Sequence, residues 1–170
     1  KEDRILITIE QLNETSSFRF IELLGDIFEH SPWIAEKVET EKPFHSIQQL
    51  HEKMVEIVKN ATYEQQLALM KAHPNLGERV KMTKESKKEQ QSAGLNNLTE
   101  EEYVHFVKLN QAYMDKFGFP FIMAVRFKTK NEIYQALERR IYHNQQTEFE
   151  TTLSEIYKIA RFRLEEKFSD

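Results

Sequence analysis

Three short clusters hold the side chains best suited to chemistry: His73-Pro74-Asn75-Leu76-Gly77, the run from Ser86 through Glu89, Gln90, Ala93 and Gly94 to Leu95, and Phe117-Gly118-Phe119-Pro120-Phe121-Ile122. They place a histidine, a carboxylate, an amide and a hydroxyl beside chain breakers and dense aromatics. That is the composition of a small pocket with a few convergent polar groups. Histidine titrates near neutral pH and both gives and takes a proton, so a histidine with a nearby acid is the minimum equipment for proton transfer. Pro74 ends the preceding helix and lets His73 project from a fixed loop, although a lone histidine there equally fits a partly exposed loop residue. His30, His45, His51, His105 and His143 lack such a context and read as surface or helix-face residues.

Ser86, Glu89 and Gln90 are spaced i, i+3, i+4, which puts them on one face of a helix, while Lys87, Lys88 and Gln91 point elsewhere. Such a comb can hydrogen-bond a small substrate rich in N–H and C=O groups. Spacing alone fits a solvated surface face just as well. Asn110 falls within an apolar stripe, where a buried amide must find partners. Bonding to a neighbouring loop is its first reading and a substrate contact its second. Arg126 follows the apolar run Phe121–Val125, in reach of an anionic ligand or simply exposed at the end of a buried segment. His51-Glu52 has no second histidine at zinc-protease spacing, and there is no phosphate loop, nucleophile elbow or dinucleotide fingerprint. The expectation is a site without metal or cofactor.

The elements that must position these residues are helical. Residues 1–13 show no clear period and are expected to form an extended lead-in. A helix begins at Ser16 or Ser17 with Phe18, Ile21, Leu24 and Phe28 on its apolar side. Ser31-Pro32 starts a second, and Ser46 a third whose stripe is Ile47, Leu50, Met54, Ile57 and Val58. Thr62 with Gln65, and Thr99 with Glu102, read as capping boxes. The latter opens the strongest helix, with Tyr103, Phe106, Val107, Asn110, Tyr113 and Phe117 inward. Residues 82–91 look helical and very polar. Phe119 to Val125 is too short for a helix and is expected to be extended and buried. Helices near 131–143 and 147–168 finish the chain, the last with Leu153, Ile156, Tyr157, Ala160, Leu164 and Phe168 along one side. The predicted fold is all-α, a single domain of about eight helices over residues 1–170.

Composition narrows the function classes. The chain has 170 residues, enough for a substantial core, and no cysteine, which removes disulfides, thiolate metal sites and cysteine nucleophiles. Net charge is −4 with interspersed signs, not the one-sided basic footprint of a nucleic-acid binder. No apolar run approaches membrane-spanning length and the first residues do not read as a signal peptide, so a cytoplasmic setting is expected. A start at Lys1 rather than Met is read as a trimmed chain or a domain cut from a longer one.

Taken together, His73-Pro74-x-Leu76-Gly77, Ser86-x-x-Glu89-Gln90-x-x-Ala93-Gly94-Leu95, Asn110-x-x-Tyr113 and Lys116 to Ile122 resemble the OHCU decarboxylase family (2-oxo-4-hydroxy-4-carboxy-5-ureidoimidazoline decarboxylase). A weaker likeness continues through Leu137-Glu138-Arg139-Arg140 and Ile159-Ala160-Arg161-x-Arg163-Leu164. The resemblance implies an all-α fold, no cofactor, a homodimer, and conversion of OHCU to (S)-allantoin with loss of CO₂. It implies His73 as the catalytic acid/base, with Pro74, Ser86, Glu89, Gln90 and the Phe121, Ile122, Met123, Ala124 and Val125 backbone lining the substrate; Glu89 is further expected to hold or tune His73, and Arg126 to lie beside the substrate. It also raises the expectation of a bacterial bifunctional protein in which such a domain is fused to, or acts beside, urate oxidase. Two other readings stand next to it: a non-catalytic helical interaction module, and a His/Glu lyase or hydrolase on another ureido compound.

Overall fold

Several helix starts in this chain are written as hydroxyl caps. In the computed structural model, which describes residues 5–77 and 98–170, Ser16, Ser46, Thr99 and Thr129 each accept a backbone N–H from the first turn of a helix. Each such cap satisfies one of the four amides a helix start leaves without a partner. The described residues contain eight helices: α1 (Ile9–Asn13), α2 (Ser17–Leu24), α3 (Pro32–Glu39), α4 (Ile47–Lys59), α5 (Tyr63–Ala72), α6 (Glu100–Phe117), α7 (Lys130–Arg140) and α8 (Gln145–Lys167). The only strands among them are the two-residue β1 (Ile7–Thr8) and β2 (Phe168–Ser169), which pair in parallel with Ile7 opposite Phe168. The fold is all-α.

The described residues up to Ala72, with Tyr157–Asp170, form one compact unit. There α3 packs on both α2 and α4, and Phe20, Leu24, Ile34, Val38, Leu50, Met54 and Leu164 are buried almost completely. The extended lead-in expected for residues 1–13 is corrected at its end: Ile9–Asn13 is helical, opened by a Thr8–Gln11 capping box. Threonine and glutamine at that spacing satisfy two amides reciprocally, which outweighs the weak periodicity of so short a segment. The inward face of α2 also differs from expectation. Phe20 and Leu24 are buried, while Phe18 is 77% exposed.

The described residues between His73 and Ile156 form the second unit. The Thr99–Glu102 capping box opens α6 as expected, and Gly118 closes it in the left-handed conformation, φ 79°. Glycine takes that conformation without a Cβ penalty, so the helix stops there and the chain turns away. Of the α6 stripe, Phe106, Asn110, Tyr113 and Phe117 are buried, whereas Val107 is largely exposed. Phe119–Val125 is buried apart from Met123 and is neither helix nor strand. Tyr113 sits at its centre, edge-on to Phe121 at 5.3 Å and to Phe119 at 6.1 Å between ring centroids. Among the described residues no helix is long and apolar enough to cross a membrane.

Candidate active site

His73 is the first residue after α5, where proline at 74 both lacks an N–H and disfavours helical backbone in the residue before it. Its relative exposure is 6%, so the partly exposed loop histidine is set aside. The loop beyond it is locked by side-chain amides. Asn75 Oδ1 accepts the Gly77 N–H at 2.7 Å and a second hydrogen bond from Asn110 Nδ2. Gly77 is helical, and a Cβ on it would lie 2.7 Å from that Nδ2, so the close contact favours glycine there. Asn110 Oδ1 is buried and has no hydrogen-bond partner among the described residues. Structural bonding, the first reading of Asn110, therefore uses one half of its amide.

The same helix reaches the third cluster. One turn beyond Asn110, Tyr113 packs on Phe121 and sends its hydroxyl into a buried polar network. That hydroxyl donates to Glu148 Oε1 at 2.5 Å, and Arg140 Nε donates to the same oxygen at 2.6 Å. Arg140 Nη1 donates to the Ile122 carbonyl at 2.7 Å, and its guanidinium lies 4.5 Å from the Phe121 ring centroid. Glu148 and Arg140 are 0% and 3% exposed, so charge pairing and hydrogen bonding must together offset their desolvation. Burial drives the Tyr113 phenol far above its ordinary pKa, and its bond to Glu148 adds to this against the opposing Arg140 charge. It therefore stays a donor at any working pH. Nearby, Glu155 Oε1 accepts the Ala124 N–H at 3.0 Å.

The network was not expected from the sequence. His143 is half-buried with Nδ1 3.0 Å from Glu148 Oε2, and His51 is half-buried with Nε2 2.8 Å from the Tyr157 carbonyl. The available signal was the α8 stripe itself. Stepping back by four from Ile156 lands on Thr152 and Glu148, both fully buried. Arg126 is exposed in the turn after Val125, its guanidinium 5.2 Å from the Phe127 ring centroid. Ser86, Glu89 and Gln90, and the helix expected over 82–91, lie outside the described residues. Among the described residues no three His, Asp or Glu side chains gather as a metal site. The arrangement offers a buried histidine, a side chain able to give and take a proton, beside a locked segment, and a buried backbone run held by charged groups.

A sequence model of the OHCU decarboxylase family matches residues 13–165. A 2-oxo-4-hydroxy-4-carboxy-5-ureidoimidazoline decarboxylase from Halalkalicoccus jeotgali is 48% identical over 160 residues, covering 94% of this chain and 91% of that protein. A uric acid degradation bifunctional protein from Bacillus sp. strain TB-90 is 52% identical over 165 residues, and the match spans 97% of this chain but only 33% of that protein. Among solved structures, an (S)-allantoin synthase superposes with a TM-score of 0.81 at 34% identity, covering 96% of this chain and 54% of that one. An OHCU decarboxylase crystallised in the presence of (S)-allantoin shares the fold, with a TM-score of 0.67 at 23% identity over 92% of this chain and 100% of that one.

Proposed function

The chain belongs to the OHCU decarboxylase family, and from that membership we infer that it decarboxylates 2-oxo-4-hydroxy-4-carboxy-5-ureidoimidazoline to (S)-allantoin in urate breakdown. The observation that carries this reading is the family match over residues 13–165, which takes in the buried His73 and its locked loop.

In the reaction the bond between the ring carbon and its carboxylate breaks and CO₂ leaves. The electron pair stays in the ring as an enolate-like system, the hydroxyl becomes a carbonyl, and one ring carbon takes a proton on one face. The protein's task is to turn the carboxylate out of the ring plane, stabilise the charge that develops, and deliver that proton stereospecifically. His73 is assigned the proton transfer, with Glu89 holding or tuning it. Pro74, Ser86, Gln90, the Phe121–Val125 backbone and Arg126 are assigned the substrate. The support for these roles is the motif resemblance, together with the burial of His73 and the anchored 121–125 segment. Apolar surroundings near Phe119 and Phe121 favour departure of a carboxylate as neutral CO₂, because burial penalises the charged form.

The bifunctional relative suggests a setting in which this activity follows urate oxidation, with this chain acting beside or joined to a urate oxidase. A homodimer rests on the family resemblance alone. The test generates OHCU in situ from urate and follows circular dichroism. Accelerated appearance of (S)-allantoin, lost in a folded His73→Asn variant, is the expected result. Racemic product at the spontaneous rate would overturn the enzyme reading, and full turnover by His73→Asn would overturn the histidine's role.

A further inference from the structure

Two charged side chains grip the 121–125 segment at alternate residues. Arg140 donates to the carbonyl of Ile122 and Glu155 accepts the N–H of Ala124. Backbone groups of residues two apart share an edge of an extended chain, and those of the residue between them face the opposite edge. The grips at 122 and 124 fit an extended chain, in which the N–H and C=O of Met123 face the other way. Among the described residues the Met123 backbone has no hydrogen-bond partner, and Met123 is the least buried residue of the run. A backbone N–H and C=O side by side on one residue match the N–H and C=O pattern of a ureido or cyclic amide group.

The anchors are themselves fixed. Arg140 is held by Glu148 Oε1 at 2.6 Å and packs over Phe121, and Thr152 Oγ1 lies 3.3 Å from its Nη2. Glu155 lies seven residues beyond Glu148, two turns along the same face of α8, so one helix sets the spacing of both grips. A two-point grip on a segment without ladder hydrogen bonds replaces the support that a sheet would give.

We propose that Arg140 and Glu155 are positioning residues that hold the Phe121–Val125 segment so that the Met123 backbone edge receives the amide groups of the substrate. This rests on the decarboxylase reading and goes beyond it by naming the residues that aim the edge. Neither touches the reacting atoms. Their contribution is to keep the edge in its binding geometry before substrate arrives, which removes an ordering cost from binding.

Glu155 is the better handle, because removing Arg140 would strand the buried Glu148 charge. In the full chain, steady-state kinetics on OHCU generated in situ and thermal melting are compared for the unaltered protein, Glu155→Ala and Glu155→Gln. Glu155→Ala is expected to raise KM about tenfold with kcat within about twofold, the consequence of losing one orienting hydrogen bond. Glu155→Gln keeps an oxygen acceptor and is expected to return KM to within about twofold of the starting value. An unchanged KM in folded Glu155→Ala, a fall confined to kcat, or a KM in Glu155→Gln as high as in the alanine variant would each overturn the proposal. Should Glu155→Ala not fold, Glu155→Asp, shorter by one methylene, replaces it, and an unchanged KM again overturns the inference. Inactivity of the unaltered protein on OHCU would instead defeat the decarboxylase reading, so the two failures are distinguishable.

Discussion

The side-chain amide of Asn110, in the middle of α6, donates to Asn75 Oδ1, two residues beyond His73, and the same oxygen accepts the Gly77 N–H. One acceptor thus ties the histidine loop to the helix whose next turn supports Phe121 through Tyr113. The clasp depends on contact at Gly77, because a Cβ there would lie 2.7 Å from Asn110 Nδ2 and 3.0 Å from Asn75 Oδ1.

Gly77→Ala is therefore expected to displace the clasp, costing about 1–3 kcal/mol as overpacking of a buried contact does. It should also lower turnover, because the His73 loop shifts with it. Urea unfolding and steady-state kinetics would show both. On an Asn110→Ala background the obstructing amide is gone, so the same substitution should cost distinctly less. Equal costs on the two backgrounds would mean that Gly77 and Asn110 do not act as a pair.

Much of this organisation is legible in the sequence because it is written in local rules. Thr99 with Glu102 and Thr62 with Gln65 fix helix starts through residues three apart, and the stripe of α4 repeats at helical spacing. His73 stands out because Pro74 ends the helix before it, although Leu76 and Gly77, expected to be irregular, are helical. What escapes such reading is pairing across long separations. Asn75 meets Asn110 across 35 positions, and Tyr113 meets Glu148 across the same separation. Glu148 is charged and stands in the first turn of α8, the position of an ordinary solvated acid. Only the placement of Arg140 and Tyr113 around it makes burial affordable. The contact of His143 with Glu148 was hidden for the same reason, since nothing local marks Glu148 as buried.

Arg140 and Glu148 should be far more sensitive to loss of one partner than to loss of both. Arg140→Met leaves the Glu148 carboxylate buried without its cation and the Ile122 carbonyl without its donor. A loss of about 3–5 kcal/mol is expected. Adding Glu148→Leu removes the stranded charge and should recover part of that loss, leaving the cost of the unsatisfied Tyr113 hydroxyl and Ile122 carbonyl, about 1–3 kcal/mol each. Denaturant midpoints of the two single variants and the double variant would test this. Midpoints for Arg140→Met within error of the unaltered protein would contradict the arrangement.

His51 gives a pH dependence of stability whose sign is fixed by its surroundings. Its Nε2 donates to the Tyr157 carbonyl at 2.8 Å. Burial, the largest influence, pulls its pKa below the ordinary value, against the raising effect of that hydrogen bond, and the Arg161 charge lowers it further, while Glu52 and Glu165 oppose. The folded state therefore favours the neutral ring. Above about pH 6.5 the ring is neutral in both folded and unfolded chains, and the stabilisation is fully present. As pH falls below that value the unfolded chain takes up the proton first, so stability is progressively lost until the folded-state pKa is passed. A His51→Gln variant keeps an N–H for the Tyr157 carbonyl and does not titrate. Urea unfolding from about pH 7.5 down to about pH 5 should show a shallower loss of stability for His51→Gln than for the unaltered protein, the difference opening below about pH 6.5. Parallel curves over that interval would show that His51 bears its charge equally well in the folded and unfolded chain.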